Sequence, residues 1–397
     1  MPPRGGSQWE AHRLLRSRRH RGQTPPAQTR RRHPLKPKAR SLLFVLLTLS
    51  AQAARSASVS PQDPRIQVTG RYAAGAGHEL RMGFPGVTVR FAYRGPAPTV
   101  LLGASNDNTA FNVSVNGGAP LVAALKKGSN ELPLASGAAP DTGWVVGLMR
   151  RNESWQGTNT FHGLRLPPGC ELLTPPAPPT RKLLFIGDSI TCGESVDRVP
   201  PALANGPLTS NAGHSFGMLL GQTFKAQVQL VSCGGRGLTR NWKGQTEDVT
   251  APQFFHRALP DDPAAAWEHS RYVPDAVIIG LGTNDLSSGI PDQAAFISAY
   301  EAFLADIRKA YPGTALVITE SPIFSETPGN SDWAKRDFLR RCLDAILAKH
   351  QAMGDLKLAV APLHQYQGSA GNAHPVALQH EKIAAELAPV IRSVTGW

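Results

Sequence analysis

The sequence predicts an α/β protein in two parts, an all-β sandwich followed by a doubly wound parallel sheet. Short segments with period-two alternation, separated by Gly, Asn and Pro turns, run from about Val59 to Leu173 without long helical periodicity. After a proline-rich segment, nearly continuous apolar strands alternate with amphipathic helices. We therefore expect a β-sandwich domain over 58–174, a stiff linker over 175–180 and a three-layer domain over 181–397.

The first 53 residues have the composition of an export signal. Twelve bases and one acid lie within residues 1–40, and an uncharged apolar core then ends in an A-x-A pattern at Ala51–Ala53. The core is too short for a mature transmembrane helix. A tail anchor or a chance apolar run is the alternative, and the long basic stretch also allows a start codon downstream of Met1. We expect a secreted or periplasmic protein with no membrane span in its mature form.

Most of the net charge lies in this N-terminal region. The chain has 42 Lys+Arg and 29 Asp+Glu, a net charge of +13, but only 30 bases and 28 acids follow residue 40. A nucleic-acid partner would require a basic face on the folded part. The nearly neutral body gives no reason to expect one.

The four cysteines are Cys170, Cys192, Cys233 and Cys342. In an oxidising compartment they could form disulfides, and four cysteines allow three pairings that the sequence does not distinguish. Cys192 and Cys233 follow two predicted strands and could lie close together, while free buried thiols are the alternative. The sequence has no C-x-x-C motif and no zinc-like spacing, so we expect no metal.

Five buried strands and three helical faces define the second domain. The predicted strands are Lys182–Ile186, Gln227–Val231, Ala276–Leu281, Ala315–Thr319 and Lys357–Ala361. Apolar residues at helical spacing lie between and after them, around Phe296–Ile307, Phe338–Leu347 and Ile383–Ile391. Ligands of such sheets bind beyond the carboxyl ends of the strands, so the functional residues are expected in the loops that follow.

Two of these loops hold a serine and a histidine. Ser189 follows the first strand in Gly187–Thr191, on a strand-to-helix turn where a hydroxyl is exposed and helix N–H groups favour negative charge. His374 precedes Pro375 at the start of the last helix. Taken alone, Ser189 is also compatible with an ordinary turn and helix cap, and His374 with a solvated or capping residue.

Two other loops hold hydrogen-bond donors suited to an oxyanion. Gly234–Gly235 follows the second strand, and glycine lets a backbone N–H approach a ligand closely. Asn284 follows the third strand as a neutral side-chain donor, and Asp285 could cap the next helix. The alternative for the glycines is a flexible loop.

Together the serine, glycine, asparagine and histidine blocks resemble the GDSL/SGNH hydrolase family over roughly residues 181–397. The stretch Gly157–Leu166, the run Gly235–Asn241, and His374–Pro375 with His380 following resemble the second carbohydrate-esterase family. That family consists of two-domain acetyl esterases acting on plant polysaccharides. The resemblance implies a flavodoxin-like catalytic domain after a jelly-roll-like sandwich.

The resemblance also implies a role for each block. Ser189 would be the nucleophile and His374 its base. The N–H groups of Ser189 and Gly235 would form the oxyanion hole with Asn284, and no cofactor is implied. Residues that could contact sugar are Asp188, Arg236, Arg240, Trp242, Trp267 and Trp333.

One departure concerns the aspartate that usually precedes the histidine in this family. Here Gly371 and Asn372 occupy the positions three and two residues before His374. Asn372, a backbone carbonyl or an acid from elsewhere could orient the imidazole, and loss of activity is a further alternative. His380 cannot simply replace His374, because six residues along a helix turn it to another face.

These observations predict a monomeric, exported esterase that removes O-acetyl groups from xylan or glucomannan. A lipid or aryl esterase, or a thioesterase, is the alternative on the same domain. A glycan-binding protein with a silent hydrolase domain is the alternative from another class.

Overall fold

The computed structural model describes residues 56–134, 143–198, 207–368 and 372–397. The predicted signal region 1–53 lies outside the described residues. In the described ranges, no helix combines the length and the apolar character that crossing a bilayer requires.

The N-terminal part is a sandwich of two antiparallel sheets. Its strands are β1 (Ala57–Val59), β2 (Gln67–Thr69), β3 (Ala73–Ala74), β4 (Leu80–Met82), β5 (Thr88–Arg94), β6 (Thr99–Ala104), β7 (Ala110–Val115), β8 (Leu121–Ala124), β9 (Gly128–Pro133), β10 (Trp144–Arg150), β11 (Asn159–Leu166) and β12 (Glu171–Leu173). One sheet has the order β3-β4-β11-β6-β9, with β1 paired to β11, and the other has the order β12-β5-β10-β7-β8, with β2 paired to β5.

Alternation of side chains explains why these strands form a sandwich. In β5, Val89 and Phe91 are fully buried and lie opposite Leu148 and Val146 of β10. Because successive side chains of a strand point to opposite faces, one apolar row of each strand enters the core. The predicted sandwich is confirmed.

The second part is a parallel sheet covered by helices. Its strands are β13 (Arg181–Gly187), β14 (Ala226–Ser232), β15 (Ala276–Gly280), β16 (Ala315–Thr319) and β17 (Leu358–Ala361), and its helices are α1 (Ser189–Cys192), α2 (Phe216–Phe224), α3 (Ala251–Phe254), α4 (Gln293–Ala310), α5 (Ser331–Ala352) and α6 (Ala377–Thr395). The strand order β14-β13-β15-β16-β17 is that of flavodoxin-like sheets, with its switch point between β13 and β15.

The two faces of this sheet belong to separate apolar clusters. Leu183 and Phe185 of β13 pack in one cluster with residues of α2 and α6, and Leu184 and Ile186 pack in the other with residues of α4 and α5. The second cluster continues into the core of the sandwich. Both faces of each strand are therefore buried, as the nearly continuous apolar strands predicted.

All four cysteines are free thiols. Cys192, Cys233 and Cys342 are buried, and the Cys192 thiol donates to Ser232 Oγ at 3.2 Å. Of the alternatives that the sequence left open, the structure therefore has the free thiols.

Candidate active site

Ser189 is the first residue of α1, two residues after the end of β13, which lies between β14 and β15 in the sheet. The Asp188 side chain caps this helix by accepting from the Ile190 N–H at 2.9 Å. A Cβ at Gly187 would overlap Thr191 Oγ1, so glycine allows the chain to turn tightly from strand into helix. This turn places the Ser189 hydroxyl at the carboxyl edge of the sheet.

His374 reaches the same point from the loop before α6. Its Nε2 lies 2.8 Å from Ser189 Oγ, within hydrogen-bond distance. Burial lowers the pKa of His374, while the charge of Glu194 raises it and that of Arg198 lowers it. The imidazole is therefore neutral at neutral pH and can accept the proton of the serine hydroxyl.

Asn372 holds the other nitrogen of this imidazole. Its Oδ1 lies 2.7 Å from His374 Nδ1 and also accepts from the His374 backbone N–H at 3.0 Å. Its Nδ2 donates to Ser195 Oγ at 2.9 Å, which fixes the orientation of the amide. Because an amide oxygen only accepts, Nδ1 must carry the hydrogen and Nε2 is left free to face Ser189. Of the alternatives for the missing aspartate, the geometry favours Asn372.

Gly235 and Asn284 lie on the loops after β14 and β15, on either side of Ser189. Gly235 has a φ of +75°, which favours glycine at this position. Asn284 Nδ2 donates to the Arg236 carbonyl at 2.9 Å and lies 3.4 Å from Asp188 Oδ2. These contacts hold the amide group beside the nucleophile, where a charge would develop on an attacked carbonyl.

Ser189, Gly235, Asn284 and His374 border one cavity of about 540 Å³. The residues around it are Trp155, Ser189, Ile190, Glu194, Gly234, Gly235, Trp242, Thr283, Asn284, Ser287, Ile323, Phe324, Asp332, Lys335, Gln367, Ala373 and His374. The four blocks predicted from the sequence therefore meet in one place. Trp155 and Trp242 keep 59% and 53% of their surface exposed, and Lys243 Nζ lies 4.3 Å from the centroid of the Trp242 ring.

Several residues predicted to contact substrate lie outside the lining of this cavity. Asp188 is buried beneath Ser189 as the helix cap, and burial raises its pKa to about 7. Arg236 forms ion pairs with Asp248 and Asp261, the nearer at 2.7 Å. Both carboxylates are largely exposed, and Arg236 does not border the cavity.

Three further residues that were predicted to contact sugar, Arg240, Trp267 and Trp333, also lie outside the cavity lining. Arg240 donates to the backbone carbonyls of Asp285 and Gly289, so its guanidinium braces a loop. Trp333 borders a separate surface pocket, and Trp267 is buried under the Arg71 guanidinium. Of the tryptophans predicted to meet sugar, Trp242 is therefore the one that reaches the cavity.

Sequence reasoning missed three residues near the nucleophile. Trp155 and the buried Glu153 come from the sandwich, and Glu194 follows α1 with its Oε2 3.5 Å from His374 Nε2. Trp155 and Glu153 belong to the sandwich, so the expectation of functional residues after the parallel strands did not include them. Glu194 lies beyond the Ser189 block, after α1. The sequence carries no local signal for a contact between Glu153 and the second domain.

His380, the other histidine of the C-terminal block, has a structural role. It is fully buried on α6, its Nδ1 accepts from the Phe216 N–H at 3.1 Å, and its ring stacks on that of Phe216. Burial lowers its pKa to about 3, so it is neutral. Its ring therefore belongs to the packing of α6 against α2.

The fold and the residues at its strand ends are those of a GDSL-type ester hydrolase. Residues 185–381 match the GDSL-like lipase/acylhydrolase family, and residues 68–176 match the carbohydrate esterase 2 N-terminal domain. The chain belongs to the second family of carbohydrate esterases and is a carboxylic ester hydrolase.

Relatives in sequence and structure agree with this assignment. An acetylxylan esterase/glucomannan deacetylase of Cellvibrio japonicus is 34% identical over 342 residues, which cover 86% of this chain and 92% of that protein. The structure of a family two carbohydrate esterase from Cellvibrio japonicus has a TM-score of 0.79 and 33% identity, covering 86% of this chain and 98% of the other. A family two carbohydrate esterase from Clostridium thermocellum in complex with cellohexaose has a TM-score of 0.76 and 25% identity, covering 84% of this chain and 99% of the other.

Proposed function

We propose that this protein is an exported acetyl esterase that removes O-acetyl groups from xylan or glucomannan through an acyl-serine intermediate. The observation that carries the proposal is the 2.8 Å contact between Ser189 Oγ and His374 Nε2, two residues that border the same cavity. The similarity to an acetylxylan esterase/glucomannan deacetylase over most of both chains supports the substrate class.

Acylation begins with proton transfer from Ser189 to His374. Because Asn372 keeps the hydrogen on Nδ1, Nε2 accepts the proton as Oγ attacks the ester carbonyl. The carbonyl oxygen becomes an oxyanion, which the N–H groups of Ser189 and Gly235 and the Asn284 amide stabilise, each donor by about 3 kcal/mol. The tetrahedral intermediate then collapses, and the sugar hydroxyl leaves with the proton from Nε2.

Deacylation repeats the sequence with water. His374 takes a proton from water, the resulting hydroxide attacks the acetyl-serine, and the same donors stabilise the second oxyanion. The proton on Nε2 returns to Ser189 Oγ as the second intermediate collapses, and acetic acid leaves and loses its remaining proton to solvent as acetate. Ser189 and His374 therefore carry out the proton transfers of both half-reactions.

The sugar would bind between the exposed rings of Trp155 and Trp242. Both border the cavity that contains Ser189, and aromatic faces pack against the apolar faces of sugar rings. One of the two rings comes from the sandwich, so we propose that both domains form the substrate site. In this proposal the sandwich spans 58–174 and the catalytic domain 181–397, joined by the proline-rich segment 175–180. The two family matches end at residue 176 and begin at residue 185, close to this segment.

The decisive experiment is release of acetate from acetylated xylan and acetylated glucomannan by the purified protein. We expect release by the wild type and none by Ser189→Ala, with 4-nitrophenyl acetate cleaved faster than the butyrate ester. Binding of the polysaccharide without acetate release would favour a glycan-binding protein. Preference for long acyl chains would favour a lipid esterase. Export is tested separately by sequencing the N-terminus of the protein recovered from culture medium or periplasm, where cleavage after Ala53 is expected.

A further inference from the structure

A buried arginine contacts the backbone of the loop that carries His374. Arg198 lies in the segment that follows α1 and keeps only 4% of its surface exposed. Its Nη2 donates to the carbonyls of Asn372 and His374, at 3.2 Å in each case. Its Nη1 is buried and has no hydrogen-bond partner among the residues that the structure describes. Because burying a guanidinium costs free energy, this arginine calls for a specific explanation.

Three successive carbonyls of the His374 loop accept hydrogen bonds. Those of Asn372 and His374 accept from Arg198. The carbonyl of Ala373, between them, accepts from the Gly368 N–H at 3.0 Å. A Cβ at Gly368 would overlap the His374 carbonyl oxygen and lie 2.7 Å from Arg198 Nη2, so glycine lets the chain pass close to the guanidinium. The backbone that carries the imidazole is therefore fixed at each of these peptide groups.

The segment of residues 195–198 contacts the same region at two further points. Ser195 Oγ accepts from Asn372 Nδ2 at 2.9 Å. The Val196 carbonyl accepts from the Ala377 N–H, at the start of α6, at 2.9 Å. Ser195 has a φ of +56°, an uncommon conformation for a residue other than glycine that persists where surrounding contacts fix it. Three of the four residues of the segment therefore contact the His374 loop or the start of α6.

The fourth residue of the segment, Asp197, joins it to the sandwich. Its carboxylate accepts from Arg151, which follows β10, and also from Asn211 and His214. Burial raises the pKa of Asp197, but the hydrogen bonds from His214 and Asn211 outweigh this effect and hold the pKa below its ordinary value. Arg151 is buried and also donates to Asn112 of β7 at 2.9 Å. The sandwich therefore holds Asp197, and with it the 195–198 segment.

We infer that Arg198 is a positioning residue for the proposed base, and that the sandwich holds it in place through the ion pair of Arg151 with Asp197. The guanidinium fixes the backbone at His374, and Asn372 then fixes the imidazole ring so that Nε2 faces the nucleophile. The inference rests on the proposed function, because it takes His374 as the base.

The charge of Arg198 supplies a readout that a purely structural role would not change. Burial lowers the pKa of His374, and of the neighbouring charges that of Glu194 raises this pKa and that of Arg198 lowers it. His380 on α6 also faces His374, and burial lowers its pKa to about 3, so it is neutral. A variant without the charge of Arg198 should therefore have a higher His374 pKa.

The test compares Arg198→Met and Arg198→Lys in the full protein, with 4-nitrophenyl acetate as substrate across a pH series. Arg198→Met should lower kcat about 10- to 100-fold with little change in KM, because a misplaced base slows proton transfer without weakening substrate binding. Its acid limb of kcat/KM should move to higher pH by about half a unit, because His374 loses a neighbouring positive charge. Arg198→Lys keeps the charge but not the planar guanidinium, so its acid limb should stay in place and its kcat should fall about three- to tenfold.

Arg308→Met is the matched control. Arg308 on α4 also donates to a backbone carbonyl, that of Thr314, and pairs with Asp355, but it does not border the cavity. Its replacement should lower the melting temperature and leave kcat and the acid limb unchanged. Melting curves of every variant show which of them are folded at the assay temperature. If Arg198→Met does not fold, Arg198→Lys decides alone, and an unchanged kcat in that variant would overturn the inference.

Arg151→Met tests the contribution of the sandwich. The variant loses the ion pair with Asp197, so the 195–198 segment is held less firmly, and kcat should fall about three- to tenfold with little change in KM. Because Arg151 is inferred to act through Arg198, the double variant Arg151→Met/Arg198→Met should have the kcat of Arg198→Met alone.

Three kinetic results would overturn the inference. Arg198 does not position the base if a folded Arg198→Met keeps kcat within about twofold of the wild type. Its role is only structural if kcat falls equally in Arg198→Met and Arg198→Lys and the acid limb moves in neither. The sandwich does not act through Arg198 if the losses of Arg151→Met and Arg198→Met add in the double variant. Hydrolysis by Ser189→Ala would refute the proposed function instead, so the two failures are distinguishable.

Discussion

Replacing Asn372 by alanine should inactivate the enzyme without unfolding it. The change removes two hydrogen bonds to His374, at 2.7 Å to Nδ1 and 3.0 Å to the backbone N–H. At about 1 kcal/mol each, these bonds alone correspond to a loss of about 30-fold. The larger effect is on the tautomer, since an imidazole without an acceptor at Nδ1 can carry its hydrogen on Nε2, and a wrong tautomer has cost a serine protease about 10⁴ in kcat. We therefore expect kcat to fall by between about 30-fold and 10⁴-fold, with little change in KM.

Asn372→Asp separates the charge of the missing aspartate from its geometry. A carboxylate keeps the acceptor beside Nδ1, and the Ser195 hydroxyl can rotate to donate to it instead of accepting. The added charge should raise the pKa of His374 by about 1–3 units and move the acid limb of kcat/KM upward by the same amount. Above that limb we expect activity equal to or greater than that of the wild type.

The assay is hydrolysis of 4-nitrophenyl acetate across a pH series, with Ser195→Ala as the matched control. That variant loses one hydrogen bond to the Asn372 amide but keeps the acceptor, so a loss of about fivefold is expected. An Asn372→Ala enzyme within threefold of the wild type would refute the reasoning, because a backbone carbonyl or a distant acid would then orient His374. An unmoved acid limb in Asn372→Asp would refute the assigned contact with Nδ1.

Three further predictions concern the same cavity. The midpoint of the acid limb of the kcat/KM profile should lie below the ordinary imidazole pKa of 6.5, because burial lowers the pKa of His374 and the neutral imidazole is the active base. A midpoint above 6.5 would contradict this assignment. Asn284→Ala should lower kcat by about 10²–10³ with a small change in KM, whereas an effect on KM alone would indicate a substrate contact instead. Trp242→Ala should raise KM for acetylated xylan about three- to tenfold, because a sugar ring loses an aromatic face to pack against. Trp333→Ala, which lies outside the cavity, should leave KM unchanged. Equal effects of the two variants would argue against sugar stacking on Trp242.

The sandwich contributes residues to the surroundings of Ser189. If the sandwich only bound polysaccharide, removing it would weaken substrate binding and leave the catalytic step unchanged. Glu153 and Trp155 instead lie against the loop after β14 and the cavity, and the apolar core is continuous between the two parts. On this basis, substitutions in the sandwich should affect kcat as well as substrate affinity.

The structural features that depend on local sequence pattern could be predicted from the sequence alone. Period-two alternation predicted the sandwich, and apolar runs predicted the five parallel strands to within one or two residues. The carboxyl ends of parallel strands share one edge of a sheet, so Ser189, Gly235 and Asn284 could be placed together without coordinates. The structure brings these three and His374 to one cavity, as predicted.

Only the tertiary structure decided which polar groups are available at that edge. From sequence, Arg236 and Arg240 resemble free cations, but folding directs their guanidinium groups to carboxylates and carbonyls of distant loops. The acceptor of His374 Nδ1 also stayed open, because Asn372 and a backbone carbonyl are equally close in sequence and differ only in three-dimensional placement. The placement of Glu153 carried no sequence signal, because this side chain lies against the loop after β14 in the other domain and its burial depends on packing between distant segments.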